Sequence, residues 1–228
     1  MDCNYYQENL LEVYQQSFRH NWSLPALAEY GSNEVLNYGE FARRIARIHM
    51  FYSQIGVRPG DKVAVMGKNS VTWVIVYMAT ITYGATIVPI LADFNPNDAM
   101  HIVNHSGSKV LFLSQSIWET FDFDELPGLM AVISLETRKV LAERTEEGKE
   151  SMERVIRNLT RRFRSKYRDG FTPEDVVYPK VAKDDVAEIN YTSGTTGFSK
   201  GVMLTFDNLL GNVMFGIRSR LHYEGSRA

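Results

Sequence analysis

Between positions 69 and 92 no side chain carries a charge. A run of that length can span a bilayer, so it limits the chain to two outcomes, a membrane segment or a buried interior. Gly84 and Pro89 interrupt the run, and Thr72, Thr80, Thr82 and Thr86 place hydroxyls along it. The pieces have globular lengths: a buried helix over about 70–83, a turn at Gly84 and a short strand over 85–89. Burial, not membrane insertion, is therefore expected.

That helix and strand belong to a longer alternation. Lys62–Met66 reads KVAVM, a continuous apolar run after one lysine, as a strand covered on both faces would be. A helix over 97–105, a strand over 110–114 and another over 131–135 continue the pattern. This order predicts an α/β fold in which mostly parallel strands are flanked by helices. Upstream, residues 1–22 read as an amphipathic helix with Leu10, Leu11, Tyr14 and Phe18 at helical spacing. Residues 35–38 read as a short strand. It leads into a helix ending near position 55, whose buried stripe holds Ile45, Ile48, Phe51 and Tyr52.

Charge and cysteine content narrow the partners. A formal net charge of −2 argues against a nucleic-acid partner, which needs a basic excess. The single cysteine, Cys3, permits no internal disulfide, and positions 1–6 show no basic region leading into an apolar one. Both fit a cytoplasmic protein. From 137 to 170 the residues are charged and helix-favouring, ending at Asp169-Gly170, and read as a charged helical insertion. Its later half carries Arg154, Arg157, Arg161, Arg162, Arg164, Lys166 and Arg168. Such a face meets an anionic membrane surface or an acidic partner, although a solvated face is the plainer reading. His101 and His105, four apart on an expected helix, have a spacing that can bind metal, but packing or helix surface explains them as well.

The chemistry is concentrated near the end of the chain. Positions 186–191 read as a strand, positions 202–205 as a second, and between them runs TSGTTGFSKG. Gly194, Gly197 and Gly201 let backbone N–H groups approach an anion closely. Thr192, Ser193, Thr195 and Thr196 can donate hydrogen bonds to phosphate oxygens, and Lys200 adds a point charge. The NTPase P-loop does not fit, because Ser199 stands where its second glycine belongs, and the dinucleotide pattern G-x-G-x-x-G is absent. By composition alone the segment is also consistent with a flexible glycine-rich hairpin.

YTSGTTGFSKGVML closely resembles the phosphate-binding signature of the adenylate-forming (AMP-binding) superfamily, which includes acyl-CoA synthetases, luciferases and peptide-synthetase adenylation domains. GVRPGDKVAVMGKNSVTWVIVYMATITYGATIVPI resembles that family's early region, so the similarity covers most of residues 24–217. The phrase VAEINYTSGTTG is most similar to long-chain fatty acyl-CoA synthetases. Two positions depart from the pattern: Ser199 replaces the usual proline, and Phe206 stands where many members have histidine.

The resemblance implies an AMP-forming acid–thiol ligase. A fatty-acid carboxylate would attack the α-phosphate of ATP, and CoA would then displace AMP from the acyl-adenylate. By the same resemblance Thr192, Ser193, Gly194, Thr195, Thr196 and Gly197 would wrap the β- and γ-phosphates, with Lys200 and Thr196 acting catalytically and Mg2+ on the phosphates. The alternatives are adenylation of an aryl, short-chain or amino acid, or a nucleotide-binding module without catalysis. The later motifs that the resemblance implies are a magnesium carboxylate, a ribose aspartate, a hinge and a small domain with a catalytic lysine. They are not found in residues 1–228, which are therefore expected to form an incomplete N-terminal domain. Its partner would be the remainder of its own chain, and alone it would be inactive.

Overall fold

The computed structural model describes residues 9–192 and 200–218. Seven strands form one sheet: β3 (Lys62–Met66), β4 (Thr86–Ile90), β5 (Ser108–Leu113), β6 (Ala131–Ser134), β7 (Val140–Glu143), β8 (Val186–Thr192) and β9 (Lys200–Thr205). Their spatial order is β7-β6-β5-β3-β4-β8-β9. The five inner strands run parallel, while β7 and β9 pair antiparallel at the two edges. A separate two-stranded ribbon joins β1 (Pro25–Ala28) to β2 (Val35–Asn37). The expected α/β architecture is thus present, with parallel strands inside and helices on both faces.

Alternation along β3 divides the core. Val63 and Val65 face a cluster that contains Val76 of α3 (Val71–Tyr83) and Phe51 and Tyr52 of α2 (Tyr38–Ile55). The same cluster takes in Leu10 and Leu11 of α1 (Leu10–His20). Ala64 and Met66 face the opposite cluster, where α4 (Pro96–Ser106) inserts Ala99, Ile102 and Val103. All four β3 residues are fully shielded, which is why the run shows no polar alternation. A third cluster fills the space between α2, α3 and α6 (Glu146–Lys166), using Phe41, Ile45, Ile75 and Phe163.

The charge-free run is interior. Its hydroxyls turn back to protein partners: Thr80 donates to the Val76 carbonyl at 2.8 Å, Thr82 to Met78 and Thr86 to Val186. Ser70 caps α3 by accepting from the Trp73 N–H, and Gly84 ends the helix at φ 81°, a left-handed conformation glycine adopts freely. Among the described residues no helix is long and apolar enough to cross a membrane.

Two strands were not anticipated. β1 has the sequence PALA, too short and too proline-led to read as a strand, and it forms because β2 pairs with it. β7 lies inside the charged segment 137–170, four residues returning antiparallel along β6 after a turn at Thr137-Arg138. The helical part of that segment, α6, is not free-standing. Met152 and Phe163 are buried against the body, while Arg154, Arg157, Arg161, Arg162, Arg164 and Lys166 are exposed. The remaining helices are the short α5 (Gln115–Trp118) and α7 (Phe206–Arg218).

Candidate functional site

The carboxyl ends of the parallel strands share one edge of the sheet, the edge at which open α/β sheets bind ligands. Strand β8 reaches it last and extends past its neighbours. A bulge at Ala187 resets its alternation, so that Ile189 and Tyr191 pack toward α4 and Glu188 points toward α3. Beyond Tyr191 the strand ends at Thr192, which pairs directly across the hairpin with Lys200. Both are exposed. The structure thus brings together two of the site residues expected from sequence; Ser193, Gly194, Thr195, Thr196 and Gly197 lie outside the described residues.

The hairpin below this pair is tied to the sheet body. Gly201 lies opposite Tyr191, and a Cβ there would sit 3.0 Å from both the Tyr191 ring and the Ile189 side chain. Its glycine is thus explained by close packing beneath a ring. The Tyr191 hydroxyl lies 2.7 Å from Nδ1 of His105 in the last turn of α4, and burial raises the Tyr191 pKa. With the imidazole proton on Nε2, that hydroxyl donates to Nδ1. His105 is therefore engaged with Tyr191, and its ring also stacks near His101 at 5.7 Å between centroids. Among the described residues no group of three or more His, Cys, Asp or Glu side chains could hold a metal ion.

Of three further features, sequence reasoning had marked only the Phe206 position. Glu188 is 6% exposed and accepts a 2.6 Å hydrogen bond from the Tyr77 hydroxyl, whose ring stacks on Trp73. Burial, and then the bond to Glu188, pushes the Tyr77 pKa far up, so the phenol stays a donor. A lone glutamate in an otherwise apolar strand was the available signal. Phe206, the position departing from the family pattern, is 2% exposed and packs in the core instead of facing the edge.

The third is a crevice of about 440 Å³ where the chain order reverses about β3. It opens between Lys68, Asn69 and Ser70 after β3 and Ser114 and Ser116 after β5. Gly67 packs against two of its lining residues: a Cβ would come within 2.6 Å of both Leu135 and the Ser114 hydroxyl. Glu136 lines the crevice and accepts from the Gln115 N–H and the Ser134 hydroxyl, each at 3.1 Å. Burial alone would raise its pKa, but hydrogen bonds from its own backbone N–H, the Gln115 N–H and the Ser114 and Ser134 hydroxyls hold it below the usual carboxylate range.

Comparison with known proteins identifies the scaffold. Residues 14–226 match the model of the AMP-binding enzyme family. This chain is an AMP-binding enzyme family member. It is 24% identical over 216 residues to a long-chain-fatty-acid–CoA ligase of Escherichia coli O6:H1, covering 90% of this chain and 38% of that ligase. It is 31% identical over 182 residues to 4-coumarate–CoA ligase-like 6 of Arabidopsis thaliana, covering 77% of this chain and 28% of that protein. The fold superposes on the anthranilate CoA ligase AuaEII bound to anthranoyl-AMP, with a TM-score of 0.70 at 19% identity. That match covers 92% of this chain and 36% of the ligase. The chain therefore spans less than two-fifths of the length of these relatives. In this AMP-binding scaffold the threonine–lysine pair stands on the carboxyl edge, across a hairpin whose first strand is locked to α3 through Glu188 and to α4 through Tyr191.

Proposed function

We propose that the protein activates a carboxylic acid with ATP to an acyl-adenylate and transfers the acyl group to CoA, with a fatty acid as the acid. The supporting observation is the Thr192–Lys200 pair, which brackets the glycine–threonine segment at the sheet's carboxyl edge. In this reading the backbone N–H groups and hydroxyls of 192–197 cradle the β- and γ-phosphates. The Lys200 ammonium stabilises the charge that grows on pyrophosphate as it leaves. Thr196 donates to the same phosphates. The β8–β9 pairing holds Thr192 and Lys200 opposite each other, and a reaction dominated by positioning and charge stabilisation draws on such fixed groups.

The fatty-acid assignment draws on the name of the Escherichia coli relative. A second reading, an aryl acid, draws on the higher identity to the 4-coumarate ligase-like protein. Carboxylate-dependent ATP–pyrophosphate exchange by the complete protein separates them. Exchange with dodecanoate and palmitate but not with 4-coumarate or benzoate is expected; the reverse pattern replaces the fatty acid with an aryl acid. A fatty acid would reach the enzyme from a lipid surface, and the exposed basic face of α6 suits an anionic one. Salt-sensitive co-sedimentation with anionic but not zwitterionic vesicles is the expected result, and equal sedimentation with both would refute that contact.

A further inference from the structure

Away from the carboxyl edge, α2, α3 and α6 enclose a cavity of about 580 Å³ against β5 and β6. That volume suits a small-molecule ligand. Its floor is apolar, formed by Phe51, Ile75, Val76, Phe112 and Ile133. Its rim is basic, carrying Arg44, Arg47 and Arg138.

Two of these arginines have no counter-charge. Arg44 pairs with Glu34, and Glu136, the other acid on the rim, is held by the Gln115 N–H and the Ser134 hydroxyl. Among the described residues Arg47 and Arg138 form no ion pair. The Arg47 Nε atom is buried without a hydrogen-bond partner, although its guanidinium lies 5.0 Å from the centre of the Phe163 ring. Burial first, and then the charges of Arg43, Arg138, Arg164 and Arg44, lower the Arg47 pKa. A buried donor left unpaired among like charges is a costly arrangement for a purely structural side chain. Arg138 adds a second anomaly: it alone among described non-glycine residues has positive φ, at 59°. Glycine would serve that turn with less strain, so what the position gains from arginine is its side chain.

We infer that this cavity is a second ligand site, which binds a single-tailed amphiphile with an oxyanion head, the tail on the apolar floor and the head between Arg47 and Arg138. Guanidinium groups match carboxylate and phosphate oxygens geometrically, and a head placed there supplies the counter-charge that Arg47 and Arg138 lack. The site is built from α2, α3, α6 and the β6–β7 turn, and shares no residue with the Thr192–Lys200 edge.

Calorimetric titration of the complete protein without ATP tests this, using dodecanoate, dodecyl phosphate, inorganic phosphate and dodecyltrimethylammonium. Arg138→Gly is the informative variant, since it removes the charge while relaxing the backbone; Arg47→Gln is the second. Loss of one charge-assisted contact should weaken dodecanoate or dodecyl phosphate about tenfold or more in each variant. ATP–pyrophosphate exchange should be unchanged in Arg138→Gly, and binding at this site should survive Lys200→Ala. Whichever of the two anionic probes binds more tightly identifies the head. Unchanged affinity of both in both variants overturns the site. Equal binding of inorganic phosphate and dodecyl phosphate, or tight binding of the cationic probe, overturns the amphiphilic anion as its ligand.

Discussion

The middle of the sheet and its β8–β9 edge are built from opposite materials. Strands β3, β4 and β5 are shielded on both faces and carry mostly apolar side chains, with their polar residues at the strand starts. On β9, Val202 and Met203 are 49% and 65% exposed, and the Thr192–Lys200 pair faces outward. Hydrophobic burial fixes the first region, and any apolar residue of suitable volume would serve there. In the second, β9 gains little from burial and rides on the buried β8, and a few specific contacts hold the hairpin: Glu188 to Tyr77, Tyr191 to His105, and Gly201 beneath Tyr191. The contrast teaches where chemistry can be placed in such a sheet. In the proposed function it sits where burial has stopped dictating residue identity, yet where the backbone is still anchored.

Substitutions should separate the two regions sharply. Ile87→Ala, fully buried on β4, is expected to cost about 2–5 kcal/mol in denaturant unfolding. Met203→Ala on β9 should change stability by no more than about 0.5 kcal/mol. Similar losses at the two positions would abolish the distinction.

The scaffold has its own pH sensitivity, through His49. Burial lowers its pKa to about 4, opposed by a hydrogen bond to the Ala79 carbonyl and reinforced by the charge of Lys166. The unfolded chain, with an ordinary histidine pKa of about 6.5, takes up a proton in a range where the folded ring does not. Stability is therefore full above pH 6.5 and falls as the pH drops toward 4. The loss is about 3 kcal/mol at most, tempered because the ring borders a cavity large enough for water. Unfolding of His49→Gln should show a flatter pH profile over that range, and an unaltered slope would assign the dependence to other groups.

The joint between the regions should be intermediate. Tyr77→Phe leaves the buried Glu188 carboxylate without its 2.6 Å donor, and about 1–3 kcal/mol of stability should be lost. A neutral effect in thermal unfolding would mean that β8 is not held through this pair.

How much of this was legible in sequence follows the same division. β3, α3, β4, α4 and β5 could be read because burial writes itself as periodicity over a few consecutive residues. At the β8–β9 edge the two strands could be read as apolar runs and the phosphate-loop motif marked Thr192 and Lys200, but neither said what anchors them. Glu188 meets Tyr77 across 111 positions and Tyr191 meets His105 across 86, so no local pattern announces either contact. β7 was hidden because its pairing partner, not its composition, makes it a strand. The arginine-rimmed cavity is likewise assembled from positions 44, 47 and 138, which come together only in the folded chain.

The most direct test of the central claim is carboxylate-dependent ATP–pyrophosphate exchange by the complete protein, comparing Lys200→Ala with the unaltered chain. Lys200 is exposed, so its removal should leave unfolding unchanged. The account predicts that exchange falls about tenfold to a hundredfold, the effect of one lost charge-assisted contact to the leaving phosphates. Undiminished exchange in a folded Lys200→Ala protein would contradict the assignment of this edge as the site of acid activation.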